Sequence, residues 1–299
     1  RVCVVHRTGG LRWPKVSFDL HFYFAGPNRP SSFDLLFAWS DEHRFFRRAS
    51  ANGGVQLSYE NPDTGVYFSL AQSNPPPPNP LTFALAPAYL AFNLNFMRPR
   101  FFAHESMELV VDLFKRLDLV AYDPQAGQVG RPTAAMLVDV WCRGNQAAVG
   151  AMRALGRAQM PWMHPDAADA FWRYCKGYGA RKSALREVFV PQLAAMRRGD
   201  VAVRVAILLE PTSYVVPPAD LFFVKRNGAM HLVRAEHVHA ALGHLYRPLD
   251  DAPEFRSIPQ NVLFDPGVMD AWDRFYRTAP LEGPLASLQS LSADAFVDC

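Results

Sequence analysis

Four histidines lie close together in the last third of the sequence, and their side chains are the best suited by type to bind a metal ion: His231, His237, His239 and His244. A zinc site needs three or four imidazole, thiolate or carboxylate groups that converge on one point. On a helix, His237 and His244 would share one face, whereas His239 would point roughly 200° away from His237. Because no cysteine or acidic pair lies nearby to complete the set, we predict neither a metal site nor a cofactor. A metal-dependent hydrolase that uses His231, His237 and His244 is the alternative.

The common motifs of nucleophilic, nucleotide-dependent and zinc-dependent catalysis do not occur in the sequence. It has no GxSxG of the serine hydrolases, and no GxGxxG or GxxxxGK[ST] loop that would cradle a phosphate. The HExxH pattern is also missing, because His104-Glu105 lacks the second histidine. We therefore predict no catalytic residue, and the sequence favours a binding protein over an enzyme.

A polar turn separates two short segments in which apolar and polar residues alternate, residues 55–59 and 66–70. Alternation of this kind predicts two strands, and the intervening Asn-Pro and Gly predict a β-hairpin. Glu60, Asn61 and Asp63 lie in the turn and are expected to be exposed. They serve either the turn alone or contact with a partner protein, since binding residues are often carried by loops on a rigid scaffold.

A second acidic stretch lies near the end of the chain and contains Asp250, Asp251 and Glu254. Its proline and its charge indicate a loop. A solvated loop is one interpretation, and a contact with a partner protein is the other.

The first part of the chain mixes strands and helices, and these are the elements that must position any site. Alternation predicts strands at 16–25, 89–96 and 119–122, and helical spacing of apolar residues predicts a helix over 105–117. Residues 33–48 are interpreted as mostly helix, with a bent strand plus helix as the alternative, and Asn-Pro-rich 74–80 as extended polyproline II. This mixture predicts an α+β fold, with a mixed or mostly antiparallel sheet and helices packed on one of its faces.

The second part of the chain is expected to be richer in helix. Residues 125–133 are rich in Gly, Gln and Pro and mark a predicted boundary. An N-terminal α+β sheet domain, 1–125, precedes it, and a helix-rich α+β region, 133–299, follows it. The alternative is that the second region packs with the first as one unit. The predicted elements of the second region are helices at 146–158, 165–175, 192–198, 235–242 and 266–276, and strands at 201–209, 221–225 and 230–233.

The composition excludes several classes of protein. With 49% hydrophobic residues and 20% charged residues, the 299-residue chain has the material for a substantial core. Its formal net charge of +3 argues against direct nucleic-acid binding, which usually requires a strong basic excess. No apolar run approaches the roughly 20 residues that cross a bilayer. We therefore expect a cytoplasmic protein that does not contact a membrane.

Several distinctive short motifs are scattered between about residues 59 and 191. They are Tyr59-Glu60-Asn61-Pro62-Asp63-Thr64-Gly65-Val66-Tyr67-Phe68, Phe92-Asn93-Leu94-Asn95-Phe96-Met97-Arg98-Pro99, Asp123-Pro124-Gln125, Trp141-Cys142-Arg143-Gly144-Asn145 and Phe189-Val190-Pro191. These motifs resemble those of a group of bacterial immunity proteins that are encoded beside polymorphic or type VI secretion toxins.

The resemblance implies stoichiometric neutralisation of a cognate toxin, such as a nuclease effector, by direct binding. An inhibitor that plugs the cationic cleft of a nuclease would preferably be acidic, but this chain carries a net charge of +3. It would therefore use a local acidic patch, or bind the toxin away from its active site. A structural or regulatory subunit of a secretion apparatus is a further alternative.

Overall fold

A computed structural model describes residues 17–26, 33–51, 54–76, 81–156, 160–209, 212–249, 252–283 and 285–299. The helices of this part of the chain are α1 (Asp34–Asp41), α2 (Phe101–Leu117), α3 (Ala134–Ala154), α4 (Pro165–Cys175), α5 (Tyr178–Ala184), α6 (Ala235–Leu242) and α7 (Pro266–Thr278). Together with three β-sheets they confirm the predicted α+β class.

The first half is built on a seven-stranded sheet in which every neighbouring pair is antiparallel. Its strands, in the spatial order β2-β3-β4-β5-β1-β6-β7, are β1 (Ser17–Phe24), β2 (Phe46–Ala51), β3 (Gly54–Glu60), β4 (Tyr67–Gln72), β5 (Ala86–Asn95), β6 (Leu119–Asp123) and β7 (Gln128–Gly130). β7 therefore extends the sheet into the stretch predicted as a boundary.

α2 covers one face of this sheet, because the alternation of β1 turns its large apolar side chains toward the helix. Phe18, Leu20 and Phe22 are almost fully buried, and the ring of Phe22 meets Phe114 of α2 edge-to-face with centroids 5.4 Å apart. Burial of a side chain of this size contributes about 2 kcal/mol. The predicted strands at 16–25, 55–59, 66–70, 89–96 and 119–122 and the helix over 105–117 are confirmed with small shifts of their ends.

The second half contains a five-stranded sheet and a three-stranded sheet. The first has the order β12-β11-β9-β8-β15 and the second the order β10-β14-β13. Their strands are β8 (Ala194–Arg198), β9 (Val201–Leu208), β10 (Tyr214–Val216), β11 (Leu221–Arg226), β12 (Ala229–Arg234), β13 (Arg247–Leu249), β14 (Ala252–Ile258) and β15 (Gln289–Leu291). The predicted helices α4, α6 and α7 are confirmed, and α7 begins at Pro266 after the side chain of Asp265 accepts a hydrogen bond from the Gly267 amide.

The buried side chains of the two halves form one continuous hydrophobic core. Three phenylalanine rings lie at the join: Phe101 of α2, Phe171 of α4 and Phe296 near the last residue. Their centroids are 6.2 Å apart in all three pairs. The halves therefore exclude water from each other along this contact.

Two predicted helices are wrong, and in both cases pairing with a distant strand explains the difference. The helix expected over 33–48 ends at Asp41, and residues 46–51 form β2, in which Arg47 and Arg48 face Ser58 and Leu57 of β3. The helix expected over 192–198 is β8, which turns at Gly199 and pairs with β9. Pairing with a neighbouring strand supplies hydrogen bonds to backbone groups that a short helix would leave open at its ends.

Helix α3 is longer at its start than the sequence predicts. α3 begins twelve residues before the predicted residue 146, because the Thr133 side chain accepts a hydrogen bond from the Met136 amide and starts the helix there. Of the predicted polyproline segment, residues 77–80 lie outside the described residues. Within the part of the chain that the structure describes, no helix combines the length and apolar character needed to cross a membrane.

Candidate interaction surface

Glu105 of α2 is a buried carboxylate that organises the end of the large sheet at which β3 turns into β4, here called the inner end. Only 4% of the residue is exposed. Its Oε1 accepts hydrogen bonds from Tyr59, Asn61 and Thr64, at 2.8, 2.7 and 3.2 Å. Its Oε2 accepts a hydrogen bond of 2.7 Å from the indole N–H of Trp172 in α4. These four donors satisfy the buried carboxylate oxygens and connect the hairpin to α2 and α4.

The polar turn of the hairpin is therefore directed inward at Asn61. The Asn61 side chain accepts a hydrogen bond from the Asp63 amide at 3.0 Å and donates to Glu105, so both ends of its amide group are used. Gly65 closes the turn with φ of +72°, where an added Cβ would lie 2.6 Å from Ala293 Cβ. The predicted hairpin is confirmed, but the expected exposure of Asn61 is wrong: its exposed fraction is 4%, which leaves it no contact with a partner protein.

The other two residues of the predicted turn site differ in exposure. Glu60 is exposed at the last position of β3. Asp63 is largely covered: it accepts a hydrogen bond of 3.3 Å from the Gly179 amide and lies 3.7 Å from the guanidinium of Arg44. The structure thus uses Asp63 to join the first half to α5, and only Glu60 presents its carboxylate to solvent.

A second polar cluster at the inner end holds the last residues of the chain against the start of α2. The buried carboxylate of Asp298 accepts hydrogen bonds from the Arg100 amide at 2.9 and 3.1 Å. The Arg100 guanidinium pairs with Asp169 of α4, with 3.0 Å between Nε and Oδ1. Burial raises the pKa of Asp298 to about 6, because the charged form loses its hydration.

α3 contacts this cluster through Asn145 and Gly144. The Asn145 amide nitrogen donates to the Arg98 carbonyl at 2.8 Å and lies 3.0 Å from Cys299 Sγ. A Cβ on Gly144 would lie 2.5 Å from the ring of Phe96, so only glycine permits this approach of α3 to β5. The motifs around Asn61, Arg98 and Asn145 therefore meet at the inner end, where they hold the fold together.

The second predicted acidic site is described only in part. Asp250 and Asp251 lie outside the described residues, and Glu254 belongs to β14, with a side chain that is not described. The structure therefore does not place these three carboxylates relative to each other.

The predicted alternative metal ligands are separated. His237 of α6 and His244, just beyond the end of α6, both line a cavity of about 580 Å³ between α6 and α7. His231 lies on β12 and does not line that cavity. Among the residues that the structure describes, no group of three or more His, Cys, Asp or Glu side chains has the geometry to hold a metal ion.

The opposite end of the sheet, here called the outer end, is where β4 ends at Gln72 and β5 begins at Ala86. It presents large apolar side chains to solvent in the apolar segment, residues 81–89. Phe83 is 78% exposed, Leu81 53% and Tyr89 50%. Since Phe is normally among the more buried residues, a set of this kind within nine residues indicates an interaction surface.

The backbone of the apolar segment is held in place although its large side chains are exposed. Thr82 is buried, and its carbonyl accepts a hydrogen bond of 2.9 Å from the Leu85 amide. The register between β1 and β5 shifts between His21 and Tyr23, and Tyr89 lies opposite this shift with φ of +52°. A β-bulge of this kind re-aims a side chain, and a non-glycine residue at positive φ is a strained conformation typical of functional sites.

The apolar segment and the strands on either side of it carry no charged residue. Residues 65–97 and 49–59 contain no Asp, Glu, Lys, Arg or His. Depletion of charge with enrichment of aromatic residues is typical of the centre of a protein interface. The sequence reasoning missed Phe83 and Tyr89, although this uncharged run, visible in the sequence, could have indicated them.

Comparisons with known proteins supply no relative for this arrangement: no family model, no curated protein and no solved structure matches the chain.

Proposed function

We propose that this protein neutralises a cognate bacterial toxin by binding it one-to-one, and that the apolar segment makes the central contact. The observation that carries the proposal is the 78% exposure of Phe83 on a hydrogen-bonded segment without charge. The resemblance of the inner-end motifs to immunity proteins supports the same function. In this function the protein acts in the cytoplasm of the cell that makes both partners.

Aromatic side chains that project from a well-positioned backbone are suited to bind a folded partner. Burying a large aromatic ring in a pocket provides much of the binding energy of a typical interface, and a ring with two torsion angles loses little entropy. The fixed backbone around Thr82 reduces the cost of ordering the segment further. The partner's complementary surface is therefore an apolar groove.

The lack of charge in the apolar segment also indicates where on the toxin this protein would bind. The catalytic cleft of a nuclease is cationic, and an uncharged surface offers no electrostatic complement to it. Binding to an apolar groove outside the cleft is compatible with the net charge of +3. Inhibition then results from blocked movement or blocked assembly of the toxin.

Co-expression with the toxin encoded by the adjacent gene in a bacterial host tests the proposal. We expect the host to survive and the two proteins to co-purify as a one-to-one complex. Death of the host without a complex would contradict the proposal. Recovery of secretion-machinery components in place of a toxin would instead support the apparatus subunit.

Two variants test whether the apolar segment is the contact. Phe83→Ala removes the most exposed ring, and we expect toxin affinity to fall about 30-fold, or about 2 kcal/mol, as for an interface hot spot. Tyr89→Asn removes the second ring but keeps a residue that tolerates positive φ. The matched control is Met269→Ala, which shortens a 44% exposed apolar side chain on α7. Equal losses for Phe83→Ala and Met269→Ala would place the contact elsewhere.

A further inference from the structure

A cavity in the second half of the molecule has no role in toxin binding as proposed above. Its volume is about 660 Å³, which lies within the usual range of about 300–1,000 Å³ for small-molecule sites. It opens between α4, α6 and β14. The lining residues that bear on its chemistry are Arg173, Tyr174, His239, Tyr246, Phe255 and Arg256.

The charge of this cavity is positive. Arg173 and Arg256 both line it, whereas no aspartate or glutamate does so among the residues that the structure describes. Both arginines are exposed, and neither guanidinium forms a hydrogen bond or ion pair with another residue that the structure describes. Other arginines of the chain are paired, such as Arg204 with Asp220 at 2.6 Å. Two guanidinium groups without a carboxylate partner favour an anion, and the fork of an arginine fits carboxylate and phosphate oxygens.

The apolar part of the cavity is formed by aromatic rings that are held in position. The Tyr174 hydroxyl donates to the Pro191 carbonyl at 2.7 Å, and the Tyr174 ring contacts Phe255 edge-on with centroids 5.9 Å apart. The guanidinium of Arg181 lies 4.2 Å from the centre of the Phe255 ring. Tyr174 is itself almost fully buried and supports Phe255. The half-buried rings of Phe255 and Tyr246 provide the surface on which a planar group can pack at low entropic cost.

His239 adds a hydrogen-bonding group without adding charge. Its Nδ1 lies 3.0 Å from the Tyr246 hydroxyl, and burial lowers the pKa of the imidazole, so the ring is neutral at neutral pH. The formal charge of the cavity at neutral pH therefore comes from the two arginines alone.

We propose that this cavity binds a mononucleotide-sized phosphate monoester, with its phosphate at Arg173 and Arg256 and its planar ring against Phe255 and Tyr246. A phosphate monoester carries nearly two negative charges at neutral pH, which matches the two guanidinium groups better than a single carboxylate does. The cavity is large enough for a base and a sugar as well as the phosphate. This binding is independent of the proposed toxin contact, because the apolar segment lies on the first half.

Calorimetric titration of the full chain with adenosine monophosphate, adenosine and inorganic phosphate at low salt tests the proposal. We expect adenosine monophosphate to bind at least about tenfold more tightly than either fragment, because only it uses both the arginines and the rings. No binding of adenosine monophosphate, or equal binding of inorganic phosphate, would overturn the proposal.

Two charge-removing variants locate the site. Arg173→Met and Arg256→Met should each weaken binding of adenosine monophosphate about tenfold or more, since each loses a charge-assisted hydrogen bond while keeping an apolar chain of similar length. Arg186→Met is the control, because Arg186 is exposed and lies outside this cavity. Thermal unfolding of each variant verifies that it is folded. If Arg186→Met lowers the affinity as much as the other two, the binding is non-specific and the proposal is wrong.

Discussion

The two ends of the seven-stranded sheet differ in what their side chains do. At the inner end, Glu105 and Asp298 are buried carboxylates whose hydrogen bonds join the sheet to α2, to α4 and to the last residues of the chain. At the outer end, Phe83 and Tyr89 lie largely in solvent on a segment without charge. The most distinctive sequence motifs belong to the inner end, yet the surface suited to a partner belongs to the outer end.

The comparison teaches that a distinctive motif need not mark the contact site. Buried polar groups must find partners of matching geometry, so the residue types of a polar cluster are tightly restricted. An apolar contact surface is restricted only in size and shape, and several combinations of Leu, Phe and Tyr satisfy it. Three measurements on variants of the two ends test whether this difference is real.

The largest expected effect comes from removing the carboxylate of the inner end. Glu105→Ala leaves Tyr59, Asn61, Thr64 and Trp172 without an acceptor, and we expect a loss of about 3–5 kcal/mol in the free energy of unfolding. Glu105→Gln keeps one acceptor oxygen and should cost about 1–2 kcal/mol. Urea unfolding measures both changes.

The folded fraction of Glu105→Ala should bind the proposed toxin partner with unchanged affinity, because this carboxylate lies at the other end of the sheet from the apolar segment. A loss of affinity comparable to that of Phe83→Ala would make the inner end part of the interface and remove the distinction between the two ends.

The second expected effect is a pH dependence of stability that comes from Asp298. Its pKa is raised from 3.8 to about 6 in the folded state. The protonated form is therefore favoured by folding: its stabilising contribution is complete below about pH 4 and is lost as the pH rises through about 6, which amounts to about 2–3 kcal/mol.

Asp298→Asn keeps an acceptor oxygen for the Arg100 amide but does not titrate. The natural chain should therefore lose stability relative to this variant as the pH rises from 4 to 7. The difference between their free energies of unfolding measures the loss. A constant difference across this range would show that Asp298 does not titrate there.

The smallest expected effect is at the outer end. Because the Phe83 side chain is mostly exposed, Phe83→Ala should change the free energy of unfolding by less than about 0.5 kcal/mol, although we expect it to weaken binding of the proposed toxin partner. Thermal and urea unfolding of this variant beside Glu105→Ala provide the comparison. A loss above about 1.5 kcal/mol for Phe83→Ala would mean that the ring packs against the fold and is unavailable to a partner.

Much of the local structure follows from the sequence. The hairpin of β3 and β4 was predictable because alternation and a Pro–Gly turn act over a few neighbouring residues, and α2 and α7 were predictable because their apolar spacing matches the helical period. β2 and β8 were not, because their residues suit a helix about as well, and pairing with β3 and β9 decides between the two states.

The sequence by itself determined the α+β class, most of the strands and the type of residue at each turn, since these depend on local periodicity and backbone preference. Only the tertiary structure decided which polar groups are buried. Asn61 and Glu60 are neighbours in the same turn, but Asn61 faces Glu105 of α2 and Glu60 faces solvent. Likewise, Phe83 does not differ by type from the core phenylalanines, and only the packing of the whole chain decides that it is exposed. Burial depends on contacts between distant segments, and these arise only when the whole chain has packed.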